Sequence, residues 1–241
     1  MRLTAARAAT AAALFCGAAA LAAAACLGWL GFARAAEPAA GLPAPAVDNP
    51  KHAGPLETAV LAGGCFWGMQ GVFEHVRGVR GVLAGYSGGA AATAHYAEVG
   101  TGTTGHAESV RITFDPGELS FGELLQIYFS VAHDPTELDA QGPDRGSQYR
   151  SDIFYADEPQ RRIAAAYIAQ LERARSLGRP IVTRVDPLRG FYPAEGYHQD
   201  FYLKNAGYPY IVINDLPKIR RLQQLFPQHY RATPVTVPAA R

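Results

Sequence analysis

The sequence predicts a single α/β domain, a two-layer sandwich around one mixed β-sheet. Three observations predict it. Short apolar runs of strand length recur, among them Ala59–Ala62, Val79–Ala84 and Ile181–Val185. Helical patterns stand between several of them, two opened by capping residues, Ser120 and Asp157. Strands and helices alternate, though not regularly, which fits one sheet with helices packed on it.

The chain has 241 residues, with 22 Lys and Arg against 21 Asp and Glu. A net charge of +1 gives no argument for nucleic acid or an anionic surface as the main partner. Arg2 and Arg7 precede an Ala- and Leu-rich stretch, Ala8 to Phe32, and then Ala33-Arg34-Ala35. Residues 1–35 therefore read as a signal peptide cut near Ala35, or as an N-terminal membrane anchor. Either form exports the rest of the chain, with Arg2 and Arg7 left on the cytoplasmic side. The expected location is periplasmic, or inner-membrane anchored with a periplasmic domain. Residues 36–56, rich in Ala and Pro, read as a flexible linker. The folded domain is expected over 57–230, with 231–241 a loose tail.

Within that domain, Ala59–Ala62 reads as a short buried strand running into Gly63-Gly64-Cys65. A helix then runs to about His75 on the pattern Val72, Phe73, Val76. Cys65 thus falls where a strand turns through two glycines into a helix, and N–H groups at a helix start favour a thiolate. Val79–Ala84 is the next strand and Gly85-Tyr86-Ser87-Gly88-Gly89 a turn. Ala90–Gly105 is a long loop carrying His95, Tyr96 and Glu98. His106–Phe114 alternates, with Val110, Ile112 and Phe114 on one face, and Glu108 falls on that same face. A carboxyl there must pair, neutralise or line a site.

Ser120 with Glu123 opens the next helix, and a polar loop from His133 to Tyr149 contains Asp144 and Gln148. Ile153–Tyr155 reads as a strand. Asp157 caps a helix to about Ser176, ended by Gly178 and Pro180. Ile181–Val185 is a further strand, 191–195 an irregular or short edge segment, and Tyr197–Asn205 and Lys218–Leu225 short helices.

Of three cysteines, Cys16 and Cys26 lie in the N-terminal segment, so the domain keeps only Cys65 and can form no internal disulfide. A lone thiol is a liability in an oxidising compartment, which points to use. Two partners fit it. His106 or His198 would make a cysteine hydrolase or acyltransferase. Glu108, with its pKa raised by an apolar strand face, would make a general acid. Tyr96 and Tyr149 supply hydroxyl donors, and Phe66 and Trp67 an aromatic wall. Together they suit a polar oxygen beside an apolar methyl. No close spacing of His, Cys and carboxylates supports a metal, and no nucleotide loop is present.

Gly63-Gly64-Cys65-Phe66-Trp67-Gly68 resembles the signature of peptide methionine sulfoxide reductase A. The likeness continues in order through Gly85–Gly89, Tyr96, Thr104–Glu108, His133–Pro135, Gln141–Asp144, Gln148–Ser151, Phe191–Glu195 and His198-Gln199. It covers roughly residues 57–210. The resemblance implies that family's α/β sandwich, with Cys65 attacking the sulfoxide sulfur of a methionine (S)-sulfoxide. It implies Glu108 as proton donor, Tyr96 and Tyr149 bonding the oxygen, Asp144 positioning the site, and Phe66 and Trp67 holding the S-methyl group. No cofactor is implied. Many members carry resolving cysteines near the C-terminus, and this chain has none after Cys65. It resembles the form whose sulfenic acid is relieved by an external thiol, for which a thioredoxin-like donor is expected. Oxidised exported proteins and free methionine sulfoxide are the expected substrates.

Overall fold

In the computed structural model, residues 41–237 are described. The expected signal or anchor and the last four residues lie outside them. β1 (Glu57–Gly63), β2 (Val79–Ser87), β3 (Ala107–Phe114), β6 (Ser151–Tyr155), β7 (Arg184–Pro187) and β8 (Phe191–Pro193) form one sheet, in the order β7-β6-β1-β3-β2-β8. Only β6 and β7 run parallel; the other pairings are antiparallel. β4 (Ala140–Gln141) and β5 (Asp144–Arg145) make a separate small hairpin. The expected mixed-sheet α/β sandwich is therefore the observed fold.

The main core lies on one face of the sheet. Ala59, Leu61, Val110, Ile112 and Phe114 meet α1 (Phe66–Glu74), α3 (Phe121–Ile127), α4 (Glu158–Arg173) and α6 (Leu216–Leu225) there. The period-2 pattern of the strands sends Val60, Ala62, Ala107 and Phe154 to the other face. The expected box at Ser120 is present: its hydroxyl accepts from the Glu123 N–H, and the Glu123 carboxylate from the Ser120 N–H. A wide helical turn, Tyr128–Ala132, extends α3.

Several boundaries move. β2 continues through the expected turn to Ser87 because β8 pairs with its end, Ser87 opposite Phe191. The expected strand 181–185 forms as Arg184–Pro187, where β6 offers a parallel edge. The expected loop 90–105 contains a short helix, α2 (Tyr96–Val99).

Two expectations need correction. The segment expected as a flexible linker lies, over 41–56, as a strap on α3 and α4. Leu42 is buried and its N–H donates to Ser130. Tyr167 donates to Pro43 O at 2.7 Å, and Gln126 to Leu42 O at 2.7 Å. Asp48 accepts from the Gly122 N–H and the Ser120 hydroxyl. Composition hid this, because the bonds run largely through the strap's backbone. The tail is also tied, over 231–237: Arg231 and Val235 donate backbone N–H to His75 and Glu74, and Val237 to the Asp200 carboxylate.

Candidate active site

Strand register gathers the site. The pairing of Ala62 with Ser109 sets Glu108 beside the end of β1, and the pairing of Gly63 with Ser151 brings Tyr149 and Arg150 to the same end. The chain leaves β1 through Gly64, whose φ of +87° suits glycine, and a Cβ there would stand 2.5 Å from Gln141 Cβ. Cys65 then caps α1.

The Phe66 N–H donates to Glu108 Oε2 at 3.0 Å. Glu108 is 4 % exposed, and burial pushes its carboxyl up to about 8 against that one hydrogen bond, with Asp144 adding to the rise. The inward-facing carboxyl is thus a neutral acid at pH 7. The sulfur departs from expectation. Burial holds the Cys65 thiol well above its ordinary value, Glu108, Asp215 and Asp144 reinforce this, and the Trp67 N–H opposes it. At rest, Cys65 is a thiol.

Tyr96 and Tyr149 sit near enough that Glu108, Asp144 and Cys65 all act on their phenols, which burial chiefly holds protonated. Glu195 places Tyr96: one oxygen accepts from the Tyr96 N–H at 2.9 Å and the other from the Tyr86 hydroxyl at 2.8 Å. Arg150 fixes the turn before Tyr149 by donating to Ser147 O, Gly105 O and the buried Asp152 carboxylate. Asp144 accepts from the Tyr210 hydroxyl.

Trp67 stacks on Phe201 with ring centroids 3.8 Å apart, and Tyr208 and Tyr210 meet it edge-on. Its Nε1–H donates to His198 Nδ1 at 3.1 Å. Phe66 is 1 % exposed and belongs to the core, packed on Tyr86 and His198. A cleft of about 560 Å³ lined by Thr58, Arg111, Thr113 and Phe191 is on the other face of the sheet and holds none of these groups.

The profile of the family described as peptide methionine sulfoxide reductase matches residues 57–230. The chain belongs to the peptide methionine sulfoxide reductase family. Peptide methionine sulfoxide reductase MsrA 2 of Mesorhizobium japonicum is 58% identical over 184 residues, which is 76% of this chain and 94% of the relative. MsrA 2 of Synechocystis sp. is 50% identical over 194 residues, 79% of this chain and 91% of the relative. Among solved structures, methionine sulfoxide reductase A of Corynebacterium diphtheriae superposes with a TM-score of 0.56 at 36% identity, covering 70% of this chain and 88% of that one. The enzyme is a peptide methionine sulfoxide reductase of the A type, EC 1.8.4.11.

The hydrolase alternative is thereby overturned. His106 meets the Gly89 N–H and Ala90 O with its two ring nitrogens. His198 holds Trp67 through Nδ1. Three residues around the candidate site were missed in sequence. Tyr210 precedes and Asp215 ends a wide helical turn, Ile211–Asp215, far from Cys65 in the chain, and no periodicity marks them. Glu195 stood only as part of a motif; nothing in its spacing tied it to Tyr96.

Proposed function

We propose that this enzyme reduces methionine (S)-sulfoxide, free or in exported proteins, by a cycle on Cys65 alone. The observation that carries it is a half-buried thiol beside a buried acid held neutral, with phenol groups around both. The sulfoxide oxygen meets Tyr96 and Tyr149 and receives the proton of Glu108, which makes the sulfur electrophilic. The S-methyl group lies against Trp67, with Phe66 behind it. The Cys65 sulfur bonds to the sulfoxide sulfur, and its own proton replaces the one Glu108 gave. The hydroxyl then passes to the Cys65 sulfur as the S–O and S–S bonds of the adduct break, which releases methionine and leaves Cys65 as a sulfenic acid. Asp144, bonded to Tyr210, positions this wall.

Cys65 is the free cysteine among the described residues, and the sequence has no cysteine after it. An external thiol then attacks the sulfenic acid, releasing water and leaving a mixed disulfide, and a second thiol frees Cys65. A thioredoxin-like dithiol delivered on the outer side of the membrane fits the export reading of residues 1–35.

The test is one turnover without reductant. The full chain is mixed with a methionine (S)-sulfoxide peptide, and methionine and trapped Cys65 oxide are counted. About one methionine per chain is expected, and none from Cys65→Ser. No methionine from folded, reduced protein contradicts the cycle.

A further inference from the structure

Residues Ile211–Asp215 form one wide helical turn between Tyr210 and α6. Both ends of it reach the reaction centre. Tyr210 binds Asp144 at one end. At the other, Asp215 is completely buried, and neither carboxyl oxygen has a hydrogen-bond partner. The Lys218 ammonium stops at 3.8 Å. Asp215 makes no side-chain cap for α6, the helix it precedes. A buried carboxylate left this way is costly, so a fold that needed only packing there would be better served by an apolar residue.

Gly68 sets where the carboxyl lies. A Cβ at Gly68 would stand 2.1 Å from Asp215 Oδ1, so glycine is what lets Asp215 rest on the first turn of α1. Cys65 caps that same turn. The N–H groups there carry partial positive charge and favour one neighbouring anion. The Cys65 sulfur and the Asp215 carboxylate share that field, and charge on either opposes charge on the other.

Other groups face the pair. Cys65 meets Glu108 from β3 and Asp144 from β5, and it acts on Tyr96, Tyr149 and Tyr210. Asp215 meets Lys218 from α6 and Asp144, and it acts on Tyr202, near α1, and on Tyr210. Lys218 is the single cation in this set, and it lies on the Asp215 side.

We infer that Asp215 is a positioning residue of the reductase, whose charge competes with Cys65 for the start of α1 and keeps the sulfur protonated between turnovers. The thiol then resists adventitious oxidants and alkylating agents, which require thiolate. It still reacts with a bound sulfoxide, whose oxygen takes the Glu108 proton that the thiol's proton then replaces. The inference rests on Cys65 as the reacting sulfur, and a titration of the thiol itself separates the two: it needs no turnover.

The experiment is alkylation of the full chain by iodoacetamide from pH 5 to pH 10, read at Cys65 by peptide mass spectrometry so that Cys16 and Cys26 do not interfere. Asp215→Asn and Asp215→Leu are compared with the native chain, with circular dichroism as the check on folding. Both variants are expected to move the Cys65 alkylation midpoint to lower pH and to raise its rate at pH 7 about tenfold. A folded variant with an unchanged profile overturns the inference. So does failure of both variants to fold, which would make the carboxyl a structural group.

Discussion

At the strap, every carboxylate is answered. Asp48 accepts from a backbone N–H and a hydroxyl, and Glu123 from the Ser120 N–H and the Lys51 ammonium, 2.9 Å away. Against the upward push of burial, those partners hold Glu123 below its ordinary range. Around Cys65 the same residue types are left short. Glu108 has one donor and Asp215 has none, and burial lifts Glu108 to about 8 and Asp215 to about 6. One seam uses carboxylates to fasten the chain, and the other withholds partners so that a carboxyl keeps a proton near neutrality.

The pH dependence of stability separates the two. Glu123 has a lowered folded pKa, so its contribution is present above the unfolded value of about 4.3 and is lost as pH falls through the folded one. Glu108 has a raised folded pKa. Its contribution is full below about 4.3 and is lost as pH rises through about 8, because the unfolded chain releases that proton first.

Removing the acid strains the comparison hardest. Glu108→Gln is expected to lower kcat/KM about 10²- to 10³-fold. Urea unfolding above pH 8 should show the variant at least as stable as the native chain, since a buried charge has gone. A large loss of stability with activity intact would make Glu108 a strap-like carboxylate. Tyr210→Phe removes the Asp144 partner and keeps the ring beside Trp67. A fall in kcat/KM of about tenfold is expected, in line with one lost hydrogen bond to a charged group. Unchanged kinetics would detach the 211–215 turn from the site. The smallest effect on catalysis belongs to the strap. Asp48→Ala should cost about 1 kcal/mol in urea unfolding and leave kcat/KM as it was. A coupled loss of activity would show that strap and site are not separable.

Much of this was legible in the residues. The alternation around β3 placed Glu108 on the inward face, and the glycines ahead of Cys65 placed the sulfur at a strand-to-helix turn. Both readings rest on local periodicity and turn chemistry. The strap was not legible, because Ala- and Pro-rich composition says nothing of backbone groups that find distant partners such as Gln126 and Tyr167. Nor was the protonation of Cys65. The helix start argued for thiolate, and what opposes it, burial first and then the Asp215 carboxylate, comes from elements remote in sequence. The edge pairing that extends β2 and shifts β7 is likewise a property of the assembled sheet.

The most direct test of a proton held by withheld partners is kcat/KM followed from pH 6 to pH 10, which reports the free enzyme. A single descending limb with its midpoint near about 8 is expected, as Glu108 gives up its proton, with no rise from thiolate formation ahead of it. An ascending limb through pH 8, or a flat profile across it, would contradict the account.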